Sequence, residues 1–322
     1  MTTEAERWDA DLGGQAKPAP LLQSWAWGEV QAKSGWSVER VRMAAAMATV
    51  LTRKLGPAAE AYVPRGPVPA TTEALAQLVT WARDMRMARL VVEPEASREF
   101  REVLEAQGFK RIAPTQPEHT RILKLLPPEE LLATFRHGRR YNIRTGIKRG
   151  AEVEEGKDAA ELARQSAAVE KRESINLPGR GYYQLLLDLL PWARTYTAYS
   201  PDKREPLATV LVARFAGRAY SLFAGRTGAR RELMGNDLAW WSAISAAAQA
   251  GCDDFDLWGI PPPNARPGHP WEGLGMFKSE FGGESVSYAG AWELELLAAG
   301  STLLGAERKT RALIRSLKRN IP

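Results

Sequence analysis

The chain has 322 residues, a formal net charge of +6, one cysteine and three histidines. That length predicts two domains at roughly 100–200 residues each, and the surplus positive charge favours an anionic partner such as nucleic acid, phosphate or an acidic membrane. A single cysteine, Cys252, excludes an intrachain disulfide, and no cysteine or histidine spacing matches a zinc site. The amino terminus is unlike a signal peptide and no apolar run approaches ~20 residues, so we expect a cytoplasmic protein without a metal.

The first half of the chain alternates between strand and helix patterns. Residues 1–20 are polar and then contain prolines, so we expect a loose arm there. Leu21–Trp36 predicts a short helix that ends at Gly35. The segments that follow predict strands at 38–43, 48–55, 59–63, 90–92 and 121–125, and helices at 71–85 and 97–107.

The second half repeats this order. It predicts strands at 195–200, 207–215, 218–223, 255–258 and within 284–297, and helices at 184–190 and 238–250. Strand, strand, strand, helix, strand, helix, strand is the order of the GNAT acetyltransferase unit, so we expect an α/β (α+β) protein with two tandem GNAT-like domains. We expect residues 1–145 with about 299–322 in the first domain, and 146–298 in the second.

A basic run, RHGRRYNIRTGIKR, carries six Lys and Arg residues and no acid. Arg136, Arg140, Arg144 and Lys148 recur at every fourth position, which places them on one ridge if the run is helical. One interpretation is a solvated helix face between the domains. The other is a contact with the phosphate backbone of a nucleic acid, with Tyr141 available for stacking on a base.

Late in the chain, the segment MFKSEFGG places Lys278 beside Phe277 and ahead of a glycine pair. When an amine attacks an ester, negative charge builds on the carbonyl oxygen, and a preorganised cation lowers that barrier. Lys278 and Phe277 are therefore the candidate catalytic residues. The alternative is a surface lysine next to a phenylalanine of the core.

Several segments resemble the FemABX aminoacyltransferases, in order, over nearly the whole chain. MFKSEFGG is similar to the family's FKxxFGG stretch, and the basic run to its RYNIR segment at the domain junction. LQSWAWGEV, starting at Leu22, resembles the QSxxWxxVK opening, and YVPRGP, starting at Tyr62, resembles the YxPxGP turn. No extended heptad stretch lies between Gly150 and Thr195, so the resemblance is to a compact, FemX-like member without a coiled-coil arm.

The resemblance also implies roles for individual residues. In the family's opening segment a lysine contacts the phosphates of a nucleotide sugar; that position is Gln31 here, and Lys33 is the nearest cation. By resemblance Lys278 faces the aminoacyl ester, and the ridge beginning at Arg136 binds tRNA. The remaining substrate-binding residues that the resemblance implies are Tyr62, Arg65, Arg180, Tyr183, Tyr220 and Trp258.

The implied activity is that of an aminoacyltransferase. It would move an amino acid from aminoacyl-tRNA, as co-substrate and without a further cofactor, onto the side-chain amine of a peptidoglycan stem peptide, forming an interpeptide bridge during cell-wall synthesis. The first domain would bind the acceptor, either UDP-MurNAc-pentapeptide or lipid II, and the second would bind the tRNA. We expect a monomer.

Two alternatives stay open. One is a GNAT-fold acyltransferase that uses acyl-CoA, although Arg226–Arg231 lacks the R/Q-x-x-G-x-G/A turn whose N–H groups hold a pyrophosphate. The other is a non-catalytic RNA-binding protein. The basic, amphipathic segment Leu303–Arg319 could also rest on the inner membrane surface, close to a lipid-linked acceptor.

Overall fold

The computed structural model describes residues 2–55, 58–173, 177–203 and 205–297. The basic segment predicted at Leu303–Arg319 therefore lies outside the described residues. The described residues form two compact units, the first built from 2–16, 22–118 and 287–297, and the second from 17–21 and 119–286. Compared with the predicted domain bounds, this division assigns residues 119–145 to the second unit.

The two units are mixed α/β structures. The helices are α1 (Glu4–Gln15), α2 (Trp25–Lys33), α3 (Thr72–Asp84), α4 (Phe100–Ala106), α5 (Pro128–Thr134), α6 (His137–Lys148), α7 (Ala159–Glu173), α8 (Arg180–Leu189), α9 (Gly235–Gln249) and α10 (Glu272–Ser279). The strands are β1 (Ser37–Arg42), β2 (Met47–Leu55), β3 (Ala58–Pro64), β4 (Arg89–Glu93), β5 (Lys110–Ile112), β6 (His119–Lys124), β7 (Glu152–Gly156), β8 (Ala193–Tyr199), β9 (Pro206–Phe215), β10 (Arg218–Arg226), β11 (Asp254–Gly259), β12 (Glu284–Ser287) and β13 (Ala291–Glu295).

The amino terminus begins with a helix, so the prediction of a loose arm is wrong over α1. Thr3 and Glu6 form a reciprocal capping box at its start. Trp8 and Leu12 lie one turn apart and are buried, and the indole N–H of Trp8 donates to the carbonyl of Gln23 at 2.9 Å. The cap and the buried face together fix this helix on the first unit.

The sheet of the first unit has the strand order β1-β2-β3-β4-β13-β5. Its pairs are antiparallel except for β3 and β4, which run parallel and stay paired as far as Pro64 and Glu93. Thr71 caps α3 by accepting from the amide of Ala74. Leu75 and other apolar residues of α3 then pack against the buried residues of β4 in the core of this unit.

The sheet of the second unit has the order β12-β6-β11-β10-β9-β8-β7. The strand predicted at 121–125 therefore belongs here, although the sequence places it at the end of the first half. It corresponds to β6, which pairs with β11 from Asp254 opposite Lys124 to Gly259 opposite Thr120. In turn β13, from the end of the described chain, pairs with β4 and β5 of the first sheet.

The parallel strands β10 and β11 separate towards their carboxyl ends. Their pairing reaches Tyr220 opposite Asp256. Beyond this point β10 has an irregular register between Ser221 and Phe223, and the register of β11 against β6 shifts before Gly259. After Asp256 the backbone of β11 is thus no longer paired with β10. The ends of parallel strands are where α/β proteins commonly bind ligands.

Candidate functional site

Lys278 lies in the last turn of α10, and its side chain points into the second unit. The residue is 5% exposed, and its Nζ donates to the carbonyl oxygen of Gly259, the last residue of β11, at 2.7 Å. An ammonium group has three N–H donors, so this bond leaves two for another acceptor. Because so little of the side chain reaches the surface, a substrate can meet the amine only over that small face.

The end of β11 is shaped by the carboxylate of Asp256. Its Oδ1 accepts from the backbone N–H of Trp258 at 2.7 Å and from the hydroxyl of Thr120 on β6. Trp258 adopts a left-handed conformation with φ 64°. Asp256 is itself buried, so these two donors compensate for the loss of water around its charge. The same bend carries the Gly259 carbonyl to the amine of Lys278.

Burial lowers the pKa of Lys278 to about 7, and the negative charge of Asp256 opposes this shift. Near neutral pH the side chain therefore exists as comparable fractions of ammonium and amine. The ammonium form can stabilise a developing oxyanion, and a group with this pKa can also exchange a proton in the same step. An exposed lysine, whose pKa is about 10.4, stays an ammonium near neutral pH and exchanges its proton less readily.

Phe277 belongs to an aromatic cluster instead of pointing to solvent. Its ring packs edge-on against Trp240 and Phe281, with centroid distances of 5.6 and 5.3 Å. The guanidinium of Arg139 lies 4.2 Å from the centroid of the Phe277 ring. This arrangement fixes the orientation of α10 and gives Phe277 a packing role next to Lys278.

Arg139 is a residue that the sequence reasoning missed. It is buried on α6, bonds to the carboxylate of Asp237 on α9 and pairs with Glu280 at 2.7 Å. It also donates to the carbonyl of Phe277 at 3.2 Å. Through these bonds the RYNIR segment and the FKxxFGG segment, far apart in sequence, are held together. Asn142 of the same segment donates to Asp237 at 3.0 Å.

The glycine pair after α10 forms a turn against β6. Gly282 and Gly283 have φ values of 83° and 70°. Arg121 of β6 donates to both of their carbonyl oxygens, at 2.8 and 2.9 Å. A Cβ atom at Gly283 would stand 2.4 Å from the carbonyl oxygen of Ile122. The glycines thus permit close approach of two backbones within the second unit.

We expect Gly283→Ala to destabilise the protein by at least ~2 kcal/mol, because a left-handed non-glycine residue costs about 1–2 kcal/mol before any clash. Chemical denaturation monitored by fluorescence measures this loss. Gly273→Ala in α10 is the matched control, since a Cβ there meets nothing within 4 Å and alanine favours a helix. Equal stability of Gly283→Ala and wild type would contradict the close approach.

The basic ridge is only partly available to a ligand. The run is helical, as α6, but Arg136 precedes its first turn and donates its backbone N–H to Glu280 at 3.0 Å. Arg140 is half-buried, and its guanidinium donates to the carbonyls of Ala133 and Phe135, which close the end of α5. Arg144 and Lys148 are exposed. Tyr141 and Ile147 on this helix are each more than half exposed.

Tyr220, near the start of β10, and Trp258, near the end of β11, lie together. Their ring centroids are 6.1 Å apart and the rings meet edge to face. Tyr220 is buried, and its hydroxyl donates to the carbonyl of Ala19 at 3.1 Å. Trp258 is half-buried and follows Asp256 by two residues. These predicted substrate-binding residues are therefore on the same strands that position Lys278.

Arg180 and Tyr183, two further predicted substrate-binding residues, both lie on α8 and differ in exposure. Arg180 is exposed at the start of α8. Tyr183 is fully buried, donates its hydroxyl to Ser166 at 3.1 Å, and packs against the ring of Phe223 at 5.0 Å. Burial also raises the pKa of Tyr183. In this conformation Tyr183 supports the packing of α7 and α8 on β10.

In the first unit, Tyr62 and Arg65 lie at the end of the parallel strands β3 and β4. Both are buried, and the guanidinium of Arg65 donates to the carbonyl of Pro117 at 2.7 Å. The hydroxyl of Tyr62 accepts from Gln116 at 3.2 Å, and burial with the nearby charge of Glu93 raises its pKa. Glu93 accepts from the amides of Thr115 and Gln116, and burial raises its pKa above the usual value.

The other predicted residues of the first unit lie on α2. Gln31 is half-buried, and its carbonyl accepts from the N–H of Trp36 at 3.1 Å. Lys33 is exposed in the last turn of the helix. A cation at position 33 is therefore accessible, whereas the side chain at position 31 is uncharged.

A cavity of about 290 Å³ is lined by α10 and the loop before it, including Arg266, His269 and Ser279.

Within the described residues there is no group of acidic, histidine or cysteine side chains suited to hold a metal ion. A search of the same residues finds no helix with the length and apolar character needed to cross a bilayer.

Residues 137–266 match the family described as Acetyltransferase (GNAT) domain. A crystal structure of FemX is similar over 95% of this chain and 98% of its own, with a TM-score of 0.81 and 19% identity. The C-terminal domain (DUF2156) of a putative lysylphosphatidylglycerol synthetase from Agrobacterium fabrum covers 92% of this chain and 94% of its own (TM-score 0.59, 14% identity). L-PGS from Bacillus licheniformis covers 91% and 97% (TM-score 0.53, 14% identity).

No curated protein matches the chain. The structural likenesses confirm the predicted fold, an α/β protein with two GNAT-like domains. With the GNAT match they support an acyltransferase.

Proposed function

We propose that this chain, with the fold of FemX and Lys278 at the open end of β11, is an aminoacyltransferase. It moves an aminoacyl group from aminoacyl-tRNA to the side-chain amine of a peptidoglycan stem peptide. The observation that carries the proposal is the buried amine of Lys278, held 2.7 Å from the Gly259 carbonyl by a segment that resembles the FKxxFGG stretch of the FemABX enzymes. Such a group is suited to stabilise the oxyanion that forms during acyl transfer.

In the proposed step the acceptor amine attacks the ester carbonyl of the aminoacyl group. A C–N bond forms and the C–O bond to the tRNA ribose breaks. The proton that the amine loses replaces the one that Lys278 gives to the ribose oxygen, so the lysine ends the step in its starting form. The ammonium form of Lys278 stabilises the negative charge on the carbonyl oxygen and can give its proton to the departing ribose oxygen. Asp256 is poorly suited to accept the amine proton, because Thr120 and Trp258 already bond to its carboxylate.

An acyl-CoA donor is disfavoured by the start of α9. In acyl-CoA enzymes of this fold, the pyrophosphate binds at the N-terminus of a helix. In this chain the corresponding helix is α9, which follows β10. Its first turn carries the buried carboxylate of Asp237, which bonds to Arg139. A pyrophosphate there would meet a negative charge instead of unoccupied N–H groups.

Arg144 and Lys148 are the cations of α6 that a tRNA phosphate can reach. We expect Arg144→Glu and Lys148→Glu each to weaken tRNA binding and to lower the slope of log affinity against log salt concentration by about 1. Fluorescence anisotropy over a series of salt concentrations measures both effects. Arg140 is a poorer choice for this test, because it also holds the carbonyls at the end of α5.

The control for these variants is Lys171→Glu, which makes the same change of charge at an exposed position of α7. It should leave the salt slope unchanged. If all three variants show the wild-type slope, α6 does not contact the tRNA backbone.

A panel of acceptors tests the function. Purified protein is supplied with radiolabelled aminoacyl-tRNA and one of three acceptors: a nucleotide-linked muropeptide, lipid II, or phosphatidylglycerol vesicles. The lipid is included because one protein of similar fold is named a putative lysylphosphatidylglycerol synthetase. We expect label in a muropeptide product. Label only in the lipid would replace the proposal with aminoacyl transfer to a lipid. Binding of tRNA without any transfer would replace it with a non-catalytic RNA-binding protein.

A further inference from the structure

Three contacts connect Asp256 to Lys278 through the last residues of β11. The carboxylate of Asp256 accepts from the N–H of Trp258, two residues later, which closes a tight side-chain turn. The hydroxyl of Thr120 on β6 bonds to the same oxygen. Immediately after this turn, the Gly259 carbonyl accepts from the amine of Lys278. A change at Asp256 is therefore passed to the lysine over three residues of backbone.

The charge of Asp256 also acts on the lysine directly. The charged and titratable side chains that the structure places around α10 fall into three groups. They are Asp256 on β11, the set formed by Arg139, Asp237 and Glu280 on the side of α6 and α9, and Arg266, His269 and Glu272 around the cavity. Of these, it is Asp256 whose charge raises the pKa of Lys278 against the effect of burial. Arg139 is compensated by its two carboxylates.

We propose that Asp256 is the positioning residue for Lys278: its carboxylate bends the end of β11 so that the Gly259 carbonyl holds the amine. The negative charge of the same carboxylate then favours the ammonium form of that amine. Asp256 thus acts through Lys278 and does not itself touch the substrate. The effect of Asp256 on acyl transfer rests on the proposed function, whereas the effect of Asp256 on Lys278 does not.

The change that separates charge from geometry is Asp256→Asn. An asparagine keeps an oxygen that can accept from Trp258 and Thr120, so the turn can persist, but the negative charge is lost. An opposite charge at close range typically shifts a pKa by about 1–3 units. We therefore expect the titration midpoint of Lys278 to fall by about 1 unit or more in this variant.

The readout is the NMR titration of protein labelled at the lysine ε-carbon, with Lys278→Met to assign the signal. Asp254→Asn is the matched control, because Asp254 is on the same strand and its carboxylate pairs with Arg218 and Lys124. It should leave the Lys278 midpoint in place. If Asp256→Asn does not fold, Asp256→Ser provides the same test, since a serine hydroxyl can also close the turn.

The rate of transfer provides an independent readout. The limb of the pH–rate profile that follows Lys278 should move to lower pH in Asp256→Asn, by the same amount as the NMR midpoint. A folded Asp256→Asn protein with the wild-type Lys278 midpoint would overturn the proposal, and so would a wild-type midpoint near the ordinary value of about 10.4. If the midpoint shifts as expected but no transfer occurs with any acceptor, the proposed function fails and the positioning role stands.

Discussion

Lys278→Met should reduce single-turnover transfer by roughly 100–1,000-fold, the usual cost of losing a preorganised donor to an oxyanion. Methionine has a similar length but no N–H group and no charge. It therefore removes the bond to Gly259 and the cation together, and leaves the space at the end of α10 filled. Rapid-quench measurement with saturating substrates reports the effect on the chemical step.

The same variant should be more stable than the wild type at low pH. Burial holds the pKa of Lys278 at about 7 in the folded protein, whereas a lysine in the unfolded chain titrates near ~10.4. The unfolded state binds more protons between these values, so wild-type stability rises with pH across that window. Lys278→Met should remove this rise and melt at a higher temperature at pH 6.

A control variant and one possible outcome test whether the effects of Lys278→Met come from its buried amine. Lys124→Met, at an exposed lysine whose side chain is 71% accessible, should show wild-type transfer and an unchanged melting profile. A Lys278→Met protein that is stable but transfers at the wild-type rate would remove Lys278 from the chemistry. It would leave only a buried lysine of the core.

Arg139→Met should destabilise the protein by about 3–5 kcal/mol, because it leaves a buried carboxylate without its partner. That carboxylate is Asp237, which is 8% exposed and keeps its bond to Asn142. The cation over the Phe277 and Phe281 rings is lost as well. Denaturation with guanidinium chloride measures the change in the free energy of unfolding.

Arg144→Met, at an exposed position of the same helix, is the control and should change stability by less than about 0.5 kcal/mol. The double variant Arg139→Met, Asp237→Asn should recover part of the loss, because the unpaired charge is then removed. A loss below about 1 kcal/mol in Arg139→Met would mean that the ion pairs do not join α6 to α9 and α10.

The fold was largely predictable from the sequence, because strands and helices follow from local periodicity. The helix at α1 could also have been found, since Thr3 and Glu6 have the spacing of a capping box. The partners of the strands were not predictable. An apolar run predicts a strand, but nothing local to β6 or β13 specifies which sheet it joins. That choice depends on packing between distant parts of the chain.

The site was predicted less completely. The sequence identified Lys278, but neither its burial nor its bond to Gly259, because these depend on how β11 bends after Asp256. The recurrence of basic residues at every fourth position predicted a binding ridge on α6. Arg139 was overlooked although it shares a helical face with Ile143 and Gly146, at intervals of four and three, and that apolar face indicates burial.

Tyr183 shows a disagreement between resemblance and packing. The resemblance assigned it to the substrate, but Leu186, Leu187 and Leu190 follow it at helical intervals and form a buried face with it. Periodicity alone therefore predicts a core position for this tyrosine. Where a resemblance and a buried face disagree, the packing of this chain decides which side chains a ligand can reach.

The most direct test of the account compares two acyl donors on one acceptor in a single turnover. Wild-type protein is mixed with a muropeptide precursor and either labelled aminoacyl-tRNA or labelled acetyl-CoA, and the product is identified by mass spectrometry. The account predicts an aminoacylated stem peptide from the tRNA and no product from acetyl-CoA. Acetylation of the acceptor, with aminoacyl-tRNA left intact, would contradict it.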